Sequence, residues 1–301
     1  MGLFYCTNFN IRLLEKQAGD DLFSTAGKEI YRLLSDTGLF KREPVSVLAD
    51  PFLFTRDGFL FLFYERQVRH YGKGKLWMRK TDDLVHWSEE TEVLDKPYHL
   101  SFPFVFEADG QVWMLPETGY NFNIQLYRAE DETLTRWKQE KILVDDGVKW
   151  RDASVIRKDG VWYLFATICD ENPTALHLFT SDRLDGTYTE HPCSPVCRGK
   201  EFGRNGGSVF EYAGGLYRPA QNCLRGYGKQ LSIVRIDRMT PTDYAETVVK
   251  RDLIDTSDPF YRYGGHQFNF TTFQGRTLVS TDARCRNYNL IELFRRLSGR
   301  K

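Results

Sequence analysis

Two aspartates in matching contexts, Asp50 and Asp152, are the side chains of this sequence best placed for acid–base chemistry. Each stands eight residues before a glycine that closes a turn, and five such glycines occur: Gly58, Gly110, Gly160, Gly214 and Gly275. Aligned on them, the column eight residues upstream reads Asp50, Phe102, Asp152, Gly206 and Gln267. One position earlier it reads Ala49, Ser101, Arg151, Asn205 and His266, with Glu201 and Arg204 just before the fourth member. Seven residues downstream the column reads Glu65, Glu117, Thr167, Gln221 and Asp282, polar throughout. Carboxylates that converge with an arginine and a histidine fit glycosyl transfer, where one acid activates a hydroxyl and the others bind sugar hydroxyls. Blander roles compete. Asp50 and Asp152 could cap turns or pair with neighbouring arginines, and Glu65 and Glu117 could be solvated strand ends. His266 could brace a channel, ligate an ion or touch substrate.

The elements that must position these residues repeat five times. DPFLFTRDGFLFLFYE, FPFVFEADGQVWMLPE, DASVIRKDGVWYLFAT, GGSVFEYAGGLYRPAQ and QFNFTTFQGRTLVSTD each read as a strand, a two-residue turn and a second strand. The glycines are 52, 50, 54 and 61 residues apart, close to one four-stranded blade per repeat. Third strands are expected at Lys75, Ile124, Leu176 and Leu231, with a fourth, outer strand behind each. The sequence therefore predicts an all-β, five-bladed β-propeller forming one domain over residues 1–301, with blade cores beginning near 50, 102, 152, 206 and 267. A β-sandwich would not repeat glycine, polar turn and aromatic at fixed offsets. The region before Asp50 reads as irregular, with a short helix over Glu29–Leu34, and either chain end could supply the strand that closes the ring. First strands line a propeller's axis, so the aligned columns should meet at one mouth.

Lysine plus arginine and aspartate plus glutamate number 41 each, which leaves no net field to attract nucleic acid. The first twenty residues lack a basic stretch followed by an apolar run, so a cytoplasmic location is the expectation. No apolar run reaches the roughly 20 residues that span a bilayer, which limits membrane contact to the periphery. The six cysteines show no paired spacing and read as reduced thiols. His191, Cys193 and Cys197 lie close together but lack a fourth metal ligand. The Gly72–Lys75 run lacks P-loop spacing and reads as a turn, and the Asn269 sequon falls on an inner strand.

The opening Ala-Asp-Pro, the Asp-Ala-Ser and the Thr-Asp-Asp-Leu-Val-His-Trp at 81–87 resemble the arabinanase and β-xylosidase type of glycoside hydrolase. More closely, SFPFVFEADG, MLPETG, LYRAE, WYLFAT, LYRPAQNC and YGKQLSI are similar to the propeller region of plant glucosamine inositolphosphorylceramide transferases and their bacterial and viral relatives, from about Asp50 to about Glu246. The first resemblance implies Asp50 as general base and Asp152 as the second acid. Its general acid, a glutamate expected near Asn205-Gly206, has no clean match. A phosphate leaving group needs no proton donor, so this departure favours transfer over hydrolysis. The sequence thus suggests an inverting glycosyltransferase of polysaccharide, glycoprotein or glycolipid synthesis, taking a sugar from a nucleotide or lipid-phosphate donor to a glycan acceptor. Asp50 would be the base, Asp152 and Glu117 would hold the sugar, and Arg151 and Arg204 would meet phosphate. Glu65, Asn205, Gln221, His266 and Asp282 complete the expected binding ring, with a divalent ion in the channel a further expectation. In the plant proteins transfer is credited to a separate carboxy-terminal domain, so catalysis and mere glycan binding both stay open, as does a hydrolase acting on furanosides or xylosides.

Overall fold

The computed structural model describes residues 6–68, 72–170 and 173–298. Residues 1–5, which belong to the stretch read for a leader, lie outside them. Strands β1 (Cys6–Lys16) and β2 (Lys28–Leu33) open the chain. The first blade comprises β3 (Val45–Arg56), β4 (Phe59–Val68), β5 (Lys75–Thr81) and β6 (Thr91–Leu94). The second comprises β7 (Ser101–Ala108), β8 (Gln111–Glu117), β9 (Ile124–Ala129) and β10 (Trp137–Val144). In the third, β11 (Trp150–Lys158), β12 (Val161–Ile168) and β13 (Ala175–Ser181) are edged by the short β14 (Thr189–Glu190) and β15 (Cys197–Arg198). The fourth comprises β16 (Phe210–Tyr212), β17 (Gly215–Asn222), β18 (Gln230–Met239) and β19 (Tyr244–Lys250). The fifth begins with β20 (Phe268–Phe273) and β21 (Arg276–Asn287), and the helix α1 (Leu290–Leu297) follows.

Closure comes from the amino-terminal side. Strand β1 pairs antiparallel with β21 over Cys6–Lys16, and β2 then pairs with β1, so the first two strands of the chain finish the last blade. A parallel bridge between Phe9 and Val47 ties that blade to the first. The helix expected over Glu29–Leu34 is instead β2. Its edge position on β1 satisfies the backbone, and its Tyr31 ring stacks on Trp87 at 4.2 Å; this tertiary pairing outweighs local helix preference.

Each repeat glycine sits in a two-residue turn with both central φ angles positive, as Asp57 (49°) and Gly58 (78°) illustrate. That mirror-image turn matches the right-handed twist of the flanking strands, which is why the Asp-Gly pairs mark the blade tips so clearly. Between blades one and two, Phe52 meets Phe102 edge to face at 4.8 Å within the largest apolar cluster.

One wholly buried charge braces the fourth blade. Arg218, 0% exposed, donates to both carboxylate oxygens of Glu246 at 2.8 and 2.6 Å and to the Phe202 carbonyl at 2.9 Å. Arg218→Met should cost about 3–5 kcal/mol by stranding the Glu246 carboxylate. Urea unfolding checks this, and adding Glu246→Leu should recover much of the loss; a cost under about 1 kcal/mol would show that the pair is not structural.

Candidate active site

Strands β4, β8, β12, β17 and β21 all run toward the same face, so Glu65, Glu117, Thr167, Gln221 and Asp282, at or near their ends, ring one mouth of the axis. Three first strands approach it through a kink. The β3–β4, β7–β8 and β11–β12 registers each slip beside the residue at the head of the repeat. There the backbone turns left-handed, with φ of 52° at Asp50, 49° at Phe102 and 49° at Asp152. Such an extra residue re-aims its side chain, and a left-handed aspartate or phenylalanine costs on the order of 1 kcal/mol that the surrounding sheet must offset. Two of the three carry the acids.

A cavity of about 300 Å³ opens at this mouth, and Asp50, Glu65, Glu117, Arg151 and Arg204 are among its lining residues. The other expected residues, Asp152, Asn205, Gln221, His266 and Asp282, do not line it. They are all buried and stand behind the wall. Glu65 and Glu117 are buried as well, at 6% and 3% exposure, so the solvated-end reading of these two does not hold.

Two ion pairs neutralise much of the wall. Arg151 donates Nη1 to Glu117 at 2.5 Å. Arg204 bonds to Asp152 through Nε at 2.5 Å and Nη2 at 3.4 Å. Asn205 and Gln221 hold this second pair from behind: Asn205 Nδ2 donates to the Asp152 carbonyl at 2.9 Å, and Gln221 Nε2 lies 3.4 Å from Asp152 Oδ2 and 2.8 Å from the Asn205 carbonyl.

Asp50 meets a histidine rather than an arginine. Its Oδ2 accepts from the Phe102 N–H at 3.1 Å, and its Oδ1 lies 3.4 Å from His266 Nε2. Burial, reinforced by Asp282, Asp152 and Glu117 and partly countered by His266, pushes its pKa up to about 7. Burial likewise drives Glu65 well above the usual carboxylate range, with the Asp50 charge adding to it.

His266 is fixed by Asp282, whose Oδ2 lies 2.7 Å from Nδ1 while its Oδ1 accepts the His266 and Gln267 N–H groups at 2.8 and 3.2 Å. Burial alone would lower the His266 pKa, but Asp282 and Asp50 outweigh it and raise the value. On the other side of the ring, Tyr227 Oη sits 2.6 Å from Nε2 and its phenol ring lines the cavity. Asp282, His266 and Tyr227 therefore form a chain from the axis to the cavity wall.

Asp50, His266 and Asp282 also bring one ligand atom each within 4.8 Å of the others, which suits a divalent ion by composition. Their lone pairs are, however, already engaged by backbone N–H groups, by Tyr227 and by one another. The two carboxylates raise the His266 pKa against burial and so favour positive charge on the imidazole there. His191, by contrast, uses both ring nitrogens on the backbone at Thr240 and Cys193, and among the described residues it joins no group of metal ligands.

The glutamate expected near Asn205-Gly206 is replaced by an amide at the first position and by a crowded glycine at the second. A Cβ on Gly206 would lie 2.4 Å from Leu231 Cδ2 and 2.9 Å from the His266 carbonyl, so no side chain fits at that point of the repeat.

Several wall residues escape the alignment. Phe9 comes from β1, His99 from the connection before the second blade, and Tyr120 and Tyr227 from connections after second strands. Burial, then Arg151 and Lys149, lower the His99 pKa to about 4, so the ring is neutral near pH 7. Its Nδ1 accepts the Gly74 N–H at 3.0 Å, which leaves Nε2–H facing Glu65 at 3.4 Å. Tyr120 carries the Lys149 ammonium over its ring at 3.9 Å and the Arg151 guanidinium at 5.0 Å.

This architecture is that of five-bladed propellers known among carbohydrate-cleaving enzymes. An α-L-arabinanase of Cellvibrio cellulosa, solved with arabinohexaose, matches 66% of this chain and 77% of its own at a TM-score of 0.51 and 18% identity. A family 117 glycoside hydrolase of Zobellia galactanivorans matches 83% and 92% at a TM-score of 0.54 and 11% identity. At such identities the likeness is one of fold. Residues 33–275 match the family described as glucosamine inositolphosphorylceramide transferase 1, N-terminal, and the chain belongs to that family. It is 35% identical over 213 residues to glucosamine inositolphosphorylceramide transferase 1 of Oryza sativa subsp. japonica, and 32% identical over 213 residues to that of Arabidopsis thaliana. In both cases the match covers 68% of this chain and 28% of the relative, so the chain spans well under half the length of these proteins.

Proposed function

We propose that the chain is an inverting glycosyltransferase that moves a sugar from a phosphate-activated donor to a glycan acceptor. The observation that carries this reading is the pairing of a base poised near neutrality, Asp50, with a fourth blade that presents no carboxylic acid at Asn205-Gly206, where a hydrolase would use one. The acceptor oxygen would attack the anomeric carbon and lose its proton to Asp50 as the bond to the donor phosphate breaks. The departing phosphate oxygen carries its negative charge away and needs no proton. Because Arg204 spends two nitrogens on Asp152, the donor phosphate is better served by Arg151 at the rim with Lys149 behind Tyr120. Asp152 then acts by holding Arg204, rather than by touching the sugar. The Tyr227 hydroxyl, set by His266, is placed to hydrogen-bond a sugar oxygen.

Hydrolysis is the second reading, and Glu65 favours it, since burial raises the pKa of this cavity-wall carboxyl, the direction a proton donor needs. The two separate cleanly. Purified protein incubated with a panel of nucleotide sugars and glycan acceptors should release nucleoside phosphate only when both substrates are present, and should not free phenol from aryl glycosides. Phenol release without a donor would establish hydrolysis instead. Glycan binding with no donor consumed would leave a binding module.

A further inference from the structure

The exposed apolar side chains of the molecule gather at one end. Among the described residues thirteen large ones are strongly exposed; Val85 and Tyr212 lie at the opposite end and Val249 on an outer strand, and the other ten lie on segments of the mouth face. Six of the ten form two segments in contact: Leu34, Leu39 and Phe40 on the connection after β2, and Tyr288, Phe294 and Leu297 on and before α1. The helix rests on that connection. Leu290 N–H donates to the Leu39 carbonyl at 2.8 Å, Asn289 Nδ2 to the Gly38 and Lys41 carbonyls at 2.8 and 3.0 Å, and Arg295 Nη1 to the Arg42 carbonyl at 3.2 Å. Contiguous exposed apolar patches of this kind mark interaction surfaces.

Cations lie between this patch and the cavity. Arg284 and Arg286 project from β21, whose last five residues past Asp282 carry the patch beyond the cavity by roughly 17 Å of strand. Arg284 Nη1 donates to the carbonyl of the cavity residue Tyr227 at 3.1 Å, and the Arg286 guanidinium lies 4.5 Å from the Tyr263 ring. Lys229 completes the group, its pKa lowered by burial and by the charges of those two arginines. Three cations crowded together beside exposed aromatic and aliphatic side chains match the layering of an anionic membrane surface, phosphates outside and acyl chains within.

We propose that the mouth face docks on an anionic membrane surface, with Phe40 and Phe294 entering the interface and Lys229, Arg284 and Arg286 meeting lipid phosphates. Docked this way, the cavity opens toward the headgroups. Docking stands apart from the transfer reading; only its use in presenting a lipid-borne acceptor to Asp50 rests on that reading.

Vesicle flotation tests it with no donor or acceptor present, so its failure and the failure of the transfer reading are distinguishable. The full chain should float with vesicles of phosphatidylcholine and phosphatidylserine and stay behind with phosphatidylcholine alone. Phe40→Asp with Phe294→Asp, at side chains of residues 69% and 66% exposed, should lower the bound fraction on the order of tenfold without unfolding the protein. Lys229→Glu with Arg286→Glu should do the same through charge. Wild-type protein that ignores anionic vesicles, or variants that float as well as wild type, would overturn the proposal. A dimer on size exclusion that Phe40→Asp with Phe294→Asp dissolves, without vesicle binding, would assign the patch to a second copy and overturn it too.

Discussion

Asp50→Asn should abolish turnover and leave a folded protein that is more stable than wild type at alkaline pH. The activity loss follows from removing the only cavity acid that has a raised pKa and no arginine partner while facing His266; general-base removal typically costs about 10²–10⁴-fold. Asparagine keeps an oxygen for the Phe102 N–H, so the kinked first strand survives. The stability gain follows from linkage. With a folded pKa of about 7 against an ordinary 3.8, the carboxyl holds its proton more tightly in the folded state. Its contribution to stability is full below the ordinary value and is lost as pH rises through about 7. Asparagine has no proton to lose. At pH 8 the variant should gain on the order of 2 kcal/mol, less than the full shift because buried sites relax, and the gap should close toward pH 4. The same titration places the acid limb of the wild-type kcat/KM profile near 7. Retained turnover would remove Asp50 from the base role, and a limb near 4 would show that its carboxyl is solvated.

Arg204→Met should be the most damaging change to the cavity wall, at about 3–5 kcal/mol of stability. It leaves Asp152, 2% exposed, facing only the long 3.4 Å contact from Gln221 Nε2 and its own backbone surroundings. Arg204→Met combined with Asp152→Asn removes both charges and should regain most of the loss in urea unfolding. The pair of variants also tests who binds phosphate. If the stable double variant keeps the donor KM of wild type, Arg204 is a structural partner of Asp152, as its two bonds indicate. A donor KM raised tenfold or more would return Arg204 to the phosphate contacts. A single variant that costs under about 1 kcal/mol would mean that the ion pair braces nothing.

Much of this geometry was legible beforehand because it is periodic. Asp50, Asp152, Glu65, Glu117, Arg151 and Arg204 fall on or beside repeat columns, and all six reach the cavity or directly brace a residue that does. What periodicity missed comes from connections and a chain end, whose residues do not repeat from blade to blade. Tyr227 sits on the connection after β17, one residue longer than its counterparts in the first three blades, His99 precedes its blade, and Phe9 arrives from the far end of the chain to complete the fifth blade. The partners of the charges were equally unreadable. Nothing in the spacing distinguishes an arginine that meets phosphate from one that spends two nitrogens on an aspartate 52 positions away.

The amino-acid sequence by itself determined the blades, their order and the height along the axis of each polar column, because alternation and turn glycines act locally, within a few residues. Only the tertiary structure decided how the ring closes, which acid meets His266 and which an arginine, and how crowded Gly206 is. Those outcomes depend on contacts between blades and on how strongly each carboxyl is removed from water, and both are set by packing across segments far apart in the chain. Asp50 and Asp152 look alike in sequence; burial beside His266 and the grip of Arg204 make them different.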